Sequence, residues 1–242
     1  MIIGTDYEKM TWKWGEWILM EPNTLLTDCI MAIVCFYLAF RLWKNRERNP
    51  FVNWFRAFFI TLGISSFTGG IGHACFAYYG TAGKIPGWIA GIFAVLFIEQ
   101  AMISFVHNRQ LYKIYKGLSY IKVVLVILLV AWIYLNKPVQ VKPELAFLPI
   151  AVNTIFGMFL SAGILGLVFY RKHQAPFHFF AFGVLAMLPA AFVFLMKINV
   201  HPWFDKNDIS HVLISVGNVF FYVGILKVSP ELAIKFNTES EV

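Results

Sequence analysis

Seven long apolar runs separated by short polar connections occupy most of this 242-residue chain. They lie at approximately Thr24–Leu42, Trp54–Tyr79, Gly87–Phe105, Leu118–Leu135, Leu148–Tyr170, His178–Met196 and Ile209–Ile225. A hydrocarbon core needs roughly 20 mostly apolar residues per helix, so each run predicts a helix able to cross a bilayer. Barrel strands are excluded because the runs are too long and too continuously apolar for strand alternation. Lipid also demands that backbone groups be satisfied internally, which a helix does by itself. The expected architecture is an all-α membrane protein, a seven-transmembrane helix bundle over residues 21–228. Residues 1–20 precede it as an interfacial segment, and 229–242 follow as a cytoplasmic tail.

Composition supports the same solvent: 59% of residues are hydrophobic and 14% charged, more apolar surface than a water-soluble domain can cover. The net charge of +7 does not point to nucleic acid, because the basic residues sit in short runs between apolar segments. Arg41, Lys44, Arg46, Arg48 and Arg56 flank the first connection, Arg109, Lys113 and Lys116 the third, and Arg171 and Lys172 the fifth. By the positive-inside rule these connections are cytoplasmic, with the N-terminus outside and the C-terminus inside. Met1–Met20 lacks the basic, apolar and small-residue succession of a signal peptide. Its Trp12, Trp14 and Trp17, with Lys13 and Glu16, predict a segment lying at the membrane surface. Cys29, Cys35 and Cys75 fall inside spans and are expected to be free thiols. The compact chain carries no eukaryotic targeting signal, so the expected location is a bacterial inner membrane.

Ionisable residues inside spans are costly in lipid and mark candidate sites. Asp28 lies roughly 9 Å into the first run from Pro22, and His73 lies about as far from Tyr79 at the end of the second. Asp208 and His211 open the seventh run from the same side, three residues apart and so on one helical face. Distant parts of the chain therefore place Asp28, His73, Asp208 and His211 at one membrane level. Gly69, Gly70 and Gly72 stand just before His73 and allow a helix or ligand close to the backbone. Ser66 lies on the His73 face, two turns deeper. Asp208 also has a simpler reading as the N-cap of the last helix, and Asp28 as a packing partner of Lys84 or Lys206. Glu99 and Gln100 sit mid-span, where a carboxylate would be protonated or would extend the site inward.

The His- and Asp-bearing ends of the second and seventh runs resemble the seven-helix superfamily of alkaline ceramidases and adiponectin/progestin receptors. That resemblance implies a zinc site with His73 and His211 as ligands and hydrolysis of a lipid amide. Asn207 stands four residues before His211 and Gly69 four before His73, where that superfamily has histidine and serine. The third ligand would be Asp208 or Asp28. Glu21-Pro22-Asn23-Thr24-Leu25-Leu26-Thr27-Asp28, Gly69-Gly70-Ile71-Gly72-His73 and Asn207-Asp208-Ile209-Ser210-His211 more closely resemble motifs of an uncharacterised family of bacterial membrane proteins.

These residues define the expected chemistry. Three N/O ligands and a water suit catalytic zinc, here His73, Asp208 and His211, with Asp28 as the catalytic carboxylate that holds the water or orients a ligand. The function so implied is metal-dependent hydrolysis of a membrane lipid or other amphiphile at the outer side. The alternative is a non-catalytic, receptor-like or accessory subunit of a membrane complex, whose partners would be lipids and other membrane proteins. An ion-coupled carrier is disfavoured because no internal repeat or pair of matching broken helices is present.

Overall fold

The computed structural model describes residues 1–45, 49–173 and 176–228. Arg46 and Arg48, two of the residues that set the expected orientation, and the expected cytoplasmic tail 229–242 lie outside the described residues. Among the described residues, seven long helices carry the fold: α1 (Pro22–Asn45), α2 (Pro50–Ala74), α3 (Ile85–Ile103) and α4 (Arg109–Asn136). They are followed by α5 (Glu144–Met158, continuing through a π-helical stretch, Phe159–Leu165, into Gly166–His173), α6 (His178–Leu195) and α7 (Lys206–Lys227).

Local chemistry sets several helix starts. Asn49 and Asn108 cap α2 and α4, their side chains accepting from Val52 N–H and Leu111 N–H at 2.9 Å each. The Asn108 cap explains why α4 begins at Arg109 and not at Leu118, where the apolar run starts. The second apolar run overshoots: α2 ends at Ala74, and Phe76–Tyr79 and Gly80–Lys84 form separate helical turns leading into α3.

Six of the seven helical segments are long and apolar enough to cross a membrane, with α2 the exception. Its position supplies the reason. α2 packs against both α1 and α3, buries Phe55, Phe58 and Phe59 completely, and carries the buried small residues Gly63, Ser66, Gly70 and Gly72. A helix packed on two sides needs close-packing small residues there, and the apolar Ile60, Ile64, Phe67 and Ile71 remain exposed on its other face. α4 is the opposite case: only Ser119 and Val123 are buried, while Leu125, Leu128 and Trp132 point outward. Such outward apolar faces are consistent with an integral membrane protein, for which hydrocarbon is the solvent.

The main core gathers aromatic side chains of α2, α6 and α7, including Phe55, Phe58, Phe180 and Phe221, with aliphatic ones such as Leu42 of α1 and Ile98 of α3. It fills the end of the bundle opposite the N-terminal segment. At the other end the first twenty residues are more ordered than a surface-lying segment. Thr11–Trp14 (β1) and Trp17–Met20 (β2) pair antiparallel. Gly15, at φ 60°, opens the two-residue turn between them, the conformation that short hairpin turns require. Trp12 meets Trp203 edge-on at 6.2 Å, and the Tyr78 hydroxyl accepts from Ile18 N–H at 2.6 Å. The hairpin thus clasps the connections before α7 and α3, while Trp14 stays 88% exposed.

Candidate functional site

The N-termini of α1, α3 and α7 and the C-terminus of α2 meet at the hairpin end. α7 starts with a capping box in which Asp205 is the N-cap and Asp208 the third helical residue. Asp205 Oδ1 accepts from Asn207 N–H at 2.7 Å, and Asp208 Oδ2 accepts from Asp205 N–H at 2.9 Å. Asp208 is therefore a capping residue, but Asp205 occupies the N-cap position expected for it. The same Asp208 carboxylate fastens α7 to α1, accepting from Asn23 Nδ2 at 2.7 Å and from the Thr27 hydroxyl at 2.8 Å.

His211, one turn further along α7, lies between neighbouring residues of α1. Its Nδ1 is 2.9 Å from the Thr27 hydroxyl and its Nε2 is 3.4 Å from Asp28 Oδ1. With the Thr27 hydrogen given to Asp208, the Thr27 oxygen accepts from His211 Nδ1–H, which directs Nε2 at Asp28. Asp28 is held from α2 as well, where the Ser66 hydroxyl lies 2.9 Å from its Oδ1. Gly70 makes this approach possible, because a Cβ there would come within 2.9 Å of the Asp28 Cβ.

His73 belongs to a second polar group. Its Nδ1 lies 2.6 Å from Glu21 Oε2, and Lys84 Nζ lies 3.3 Å from the same nitrogen. Lys9, from the segment before the hairpin, forms an ion pair with the other Glu21 oxygen and stands 3.5 Å from Asp205 Oδ2. Glu21 reaches these partners from a left-handed backbone, φ 47°, a conformation costing ~1–2 kcal/mol for a residue with a Cβ. Burial disfavours the Glu21 charge, but the His73 hydrogen bond and the positive charges around it prevail and hold the carboxyl well below its usual range. Burial likewise opposes the Lys9 charge, and Glu21, then Asp205 and Asp6, outweigh it and raise the ammonium above its ordinary value. Further out, Asp6 bonds Lys206 Nζ at 2.5 Å; burial raises its carboxyl, yet Lys206 and Lys197 bring it below the usual range.

Both groups open onto one cavity of about 500 Å³. Lys9, Glu21, Asp28, His73, Lys84 and His211 line its hairpin end, and its deeper wall is apolar, with Ile150, Met158, Val184, Met187 and Ile214. The volume falls within the range of small-molecule sites, ~300–1,000 Å³.

Three of the four residues singled out from sequence, Asp28, His73 and His211, share this cavity, while Asp208 stands behind its wall. They do not form one ligand set. Among the described residues no group of three or more His, Cys, Asp or Glu side chains is disposed to hold a metal ion. Both Asp208 oxygens are engaged by α1 and by the helix cap, and His73 turns to Glu21. A three-ligand zinc site from His73, Asp208 and His211 does not fit this arrangement. Glu99 does not extend the site either: it pairs with Lys122 of α4. Sequence reasoning gave no role to Glu21, Lys9 or Thr27, and named Lys84 only as a packing partner of Asp28, where the structure sets it beside His73. Glu21 and Thr27 stand in the same motif as Asp28, so that motif was the available signal; nothing local marks Lys9.

The chain belongs to a family of unknown function, DUF6962, which it matches over residues 23–230. No curated protein and no solved structure matches it.

Proposed function

We propose that this protein is a seven-span membrane protein that binds a lipid or other amphiphile, head group at the hairpin end and chain in the apolar depth. One observation carries the reading: a single cavity joins a ring of ionisable side chains to an apolar wall from α5, α6 and α7. α5 and α6 both contain an internal proline, Pro149 and Pro189, and α5 also contains a π-helical stretch, interruptions that accompany functional sites in membrane helices. On this reading α2 also spans the bilayer, with Ile60, Ile64, Phe67 and Ile71 on its outward face. The basic residues at the opposite end, Arg41, Arg109 and Arg171, support a topology with the hairpin and cavity mouth on the non-cytoplasmic side, and the membrane we propose is a bacterial inner membrane.

A second reading, hydrolysis of the bound amphiphile, is favoured by the Asp28–His211 contact on the cavity wall. A carboxylate beside an imidazole whose far nitrogen is fixed by Thr27 is a combination suited to general acid–base work. Hydrolysis of the bound amphiphile by wild-type protein, lost in His211→Gln, would favour this reading.

Mass spectrometry of amphiphiles co-purified from native membranes tests the first reading. Wild-type protein is expected to retain a defined amphiphile that Ala191→Trp, a substitution filling the apolar wall, excludes while remaining monodisperse. The same lipid profile in both proteins would overturn it.

A further inference from the structure

We infer that the ligand's head group is an oxyanion, a phosphate or carboxylate, held by Lys84. The inference rests on the amphiphile-binding reading for the ligand's tail, but the argument for the head is separate.

The close ion pairs at the polar end leave one lysine out. Lys9 is paired with Glu21 and approaches Asp205. Lys206 is paired with Asp6. Asp28 is engaged by Ser66 and His211. Lys84 is left over: no carboxylate of the described residues lies within 4.0 Å of its ammonium. Its contacts are the two ring nitrogens of His73, at 3.3 and 3.5 Å, and the face of Phe76, 5.2 Å from the ring centroid.

An ammonium has three N–H donors and accepts nothing, whereas an imidazole already bonded to Glu21 through Nδ1 offers at most one lone pair. Two Lys84 donors therefore remain uncommitted at the wall of a cavity large enough for a ligand. Charge-assisted bonds to oxyanions are the strongest use of such donors. The nearby carboxylates do not compete, since Glu21 is shared between Lys9 and His73. A neutral or cationic head would leave the Lys84 donors unsatisfied. Lys84 is positioned by the Gly80–Lys84 turn, whose Gly83 carbonyl would lie 2.6 Å from a Cβ on Gly72. The turn is thus seated directly on α2, close to His73.

The test uses the full chain in a neutral maltoside detergent, with binding read by native mass spectrometry. The probes are dodecyl phosphate, dodecanoate, the neutral monododecanoyl glycerol and inorganic phosphate. Wild-type protein is expected to prefer the two anionic amphiphiles over the neutral one by roughly tenfold or more. Lys84→Met is expected to erase that preference without weakening the neutral probe, and Lys84→Arg to retain it. Equal binding of anionic and neutral amphiphiles, unchanged in Lys84→Met, would overturn the head-group assignment and leave amphiphile binding intact. Binding of inorganic phosphate alone, lost in Lys84→Met, would support the oxyanion site and overturn the amphiphile reading. No Lys84-dependent binding of any probe by protein that elutes as a single folded species would overturn the inference.

Discussion

His211 Nε2 stands 3.4 Å from Asp28 Oδ1, joining the first turns of α7 to the second turn of α1 across 183 residues of chain. The contact is one link in a line that runs from Asp208 through Thr27 and His211 to Asp28 and Ser66. Replacing Asp28 removes the carboxylate that faces His211 Nε2 and the Ser66 hydroxyl, which keeps only the Asp28 backbone carbonyl at 2.8 Å. Asp28→Ala is expected to destabilise the protein by ~1–3 kcal/mol, measured by denaturant unfolding in detergent. Asp208→Ala should cost more than Asp205→Ala, because it removes both a cap worth ~1 kcal/mol and the bonds to Asn23 and Thr27. Equal losses for the two caps would show that the tie from α7 to α1 contributes nothing.

Two adjacent glycines should respond in opposite ways. A Cβ on Gly70 would come within 2.9 Å of the Asp28 Cβ, whereas one on Gly69 would meet only Asp28 Oδ2, at 3.9 Å. Gly70→Ala is expected to cost ~1–3 kcal/mol through overpacking. Gly69→Ala should be neutral or stabilising by up to about 1 kcal/mol, from helix propensity. Thermal midpoints of the two variants, compared side by side, check the packing of α1 on α2.

The ion pairs before α1 predict an acid-labile component of stability. The folded Glu21 carboxyl sits below its ordinary value of 4.5, so its contribution is complete above that value and is lost as pH falls through the lower folded range. Asp6 acts in the same direction from 3.8. Lys9, raised above 10.5, adds stability that disappears only in strong alkali. Unfolding midpoints followed from about pH 7 to about pH 3 should fall less steeply in Glu21→Gln than in the wild type. Parallel slopes would mean that Glu21 is not held as an anion by its partners.

Orientation is open to a direct check by labelling. Single cysteines at Trp14 and Trp203, in a background lacking Cys29, Cys35 and Cys75, are expected to react with a membrane-impermeant maleimide in intact spheroplasts. A cysteine at Arg171 should react only after permeabilisation. The reverse pattern would invert the topology.

Much of the fold was legible because lipid imposes long apolar runs, and each of the seven runs overlaps a helix. The boundaries were less so. The amphipathic first turns of α4 read as a polar connection until Asn108 is recognised as a cap, and the break after Ala74 hides in continuous hydropathy. The hairpin was masked by its tryptophans, which read as a membrane anchor although the Gly15-Glu16 turn and the alternation of Trp12, Lys13 and Trp14 also fit a strand pair. In the site, helix depth was enough to bring Asp28 to His211. Depth alone does not give azimuth, so His73 falls beside Glu21 and Lys84, and Asp208 turns back toward α1. The partners of Glu21 depend on its left-handed backbone, which no pattern of residue types reveals.

A bound amphiphile would occupy the cavity between the polar ring and the apolar wall. The most direct measurement is a cryo-electron microscopy map of the protein in nanodiscs of its native lipids. Elongated density is expected to begin within hydrogen-bonding reach of Lys84 Nζ and to extend between Met158 and Met187. A cavity closed by these side chains, or filled only by water at the polar end, would contradict amphiphile binding.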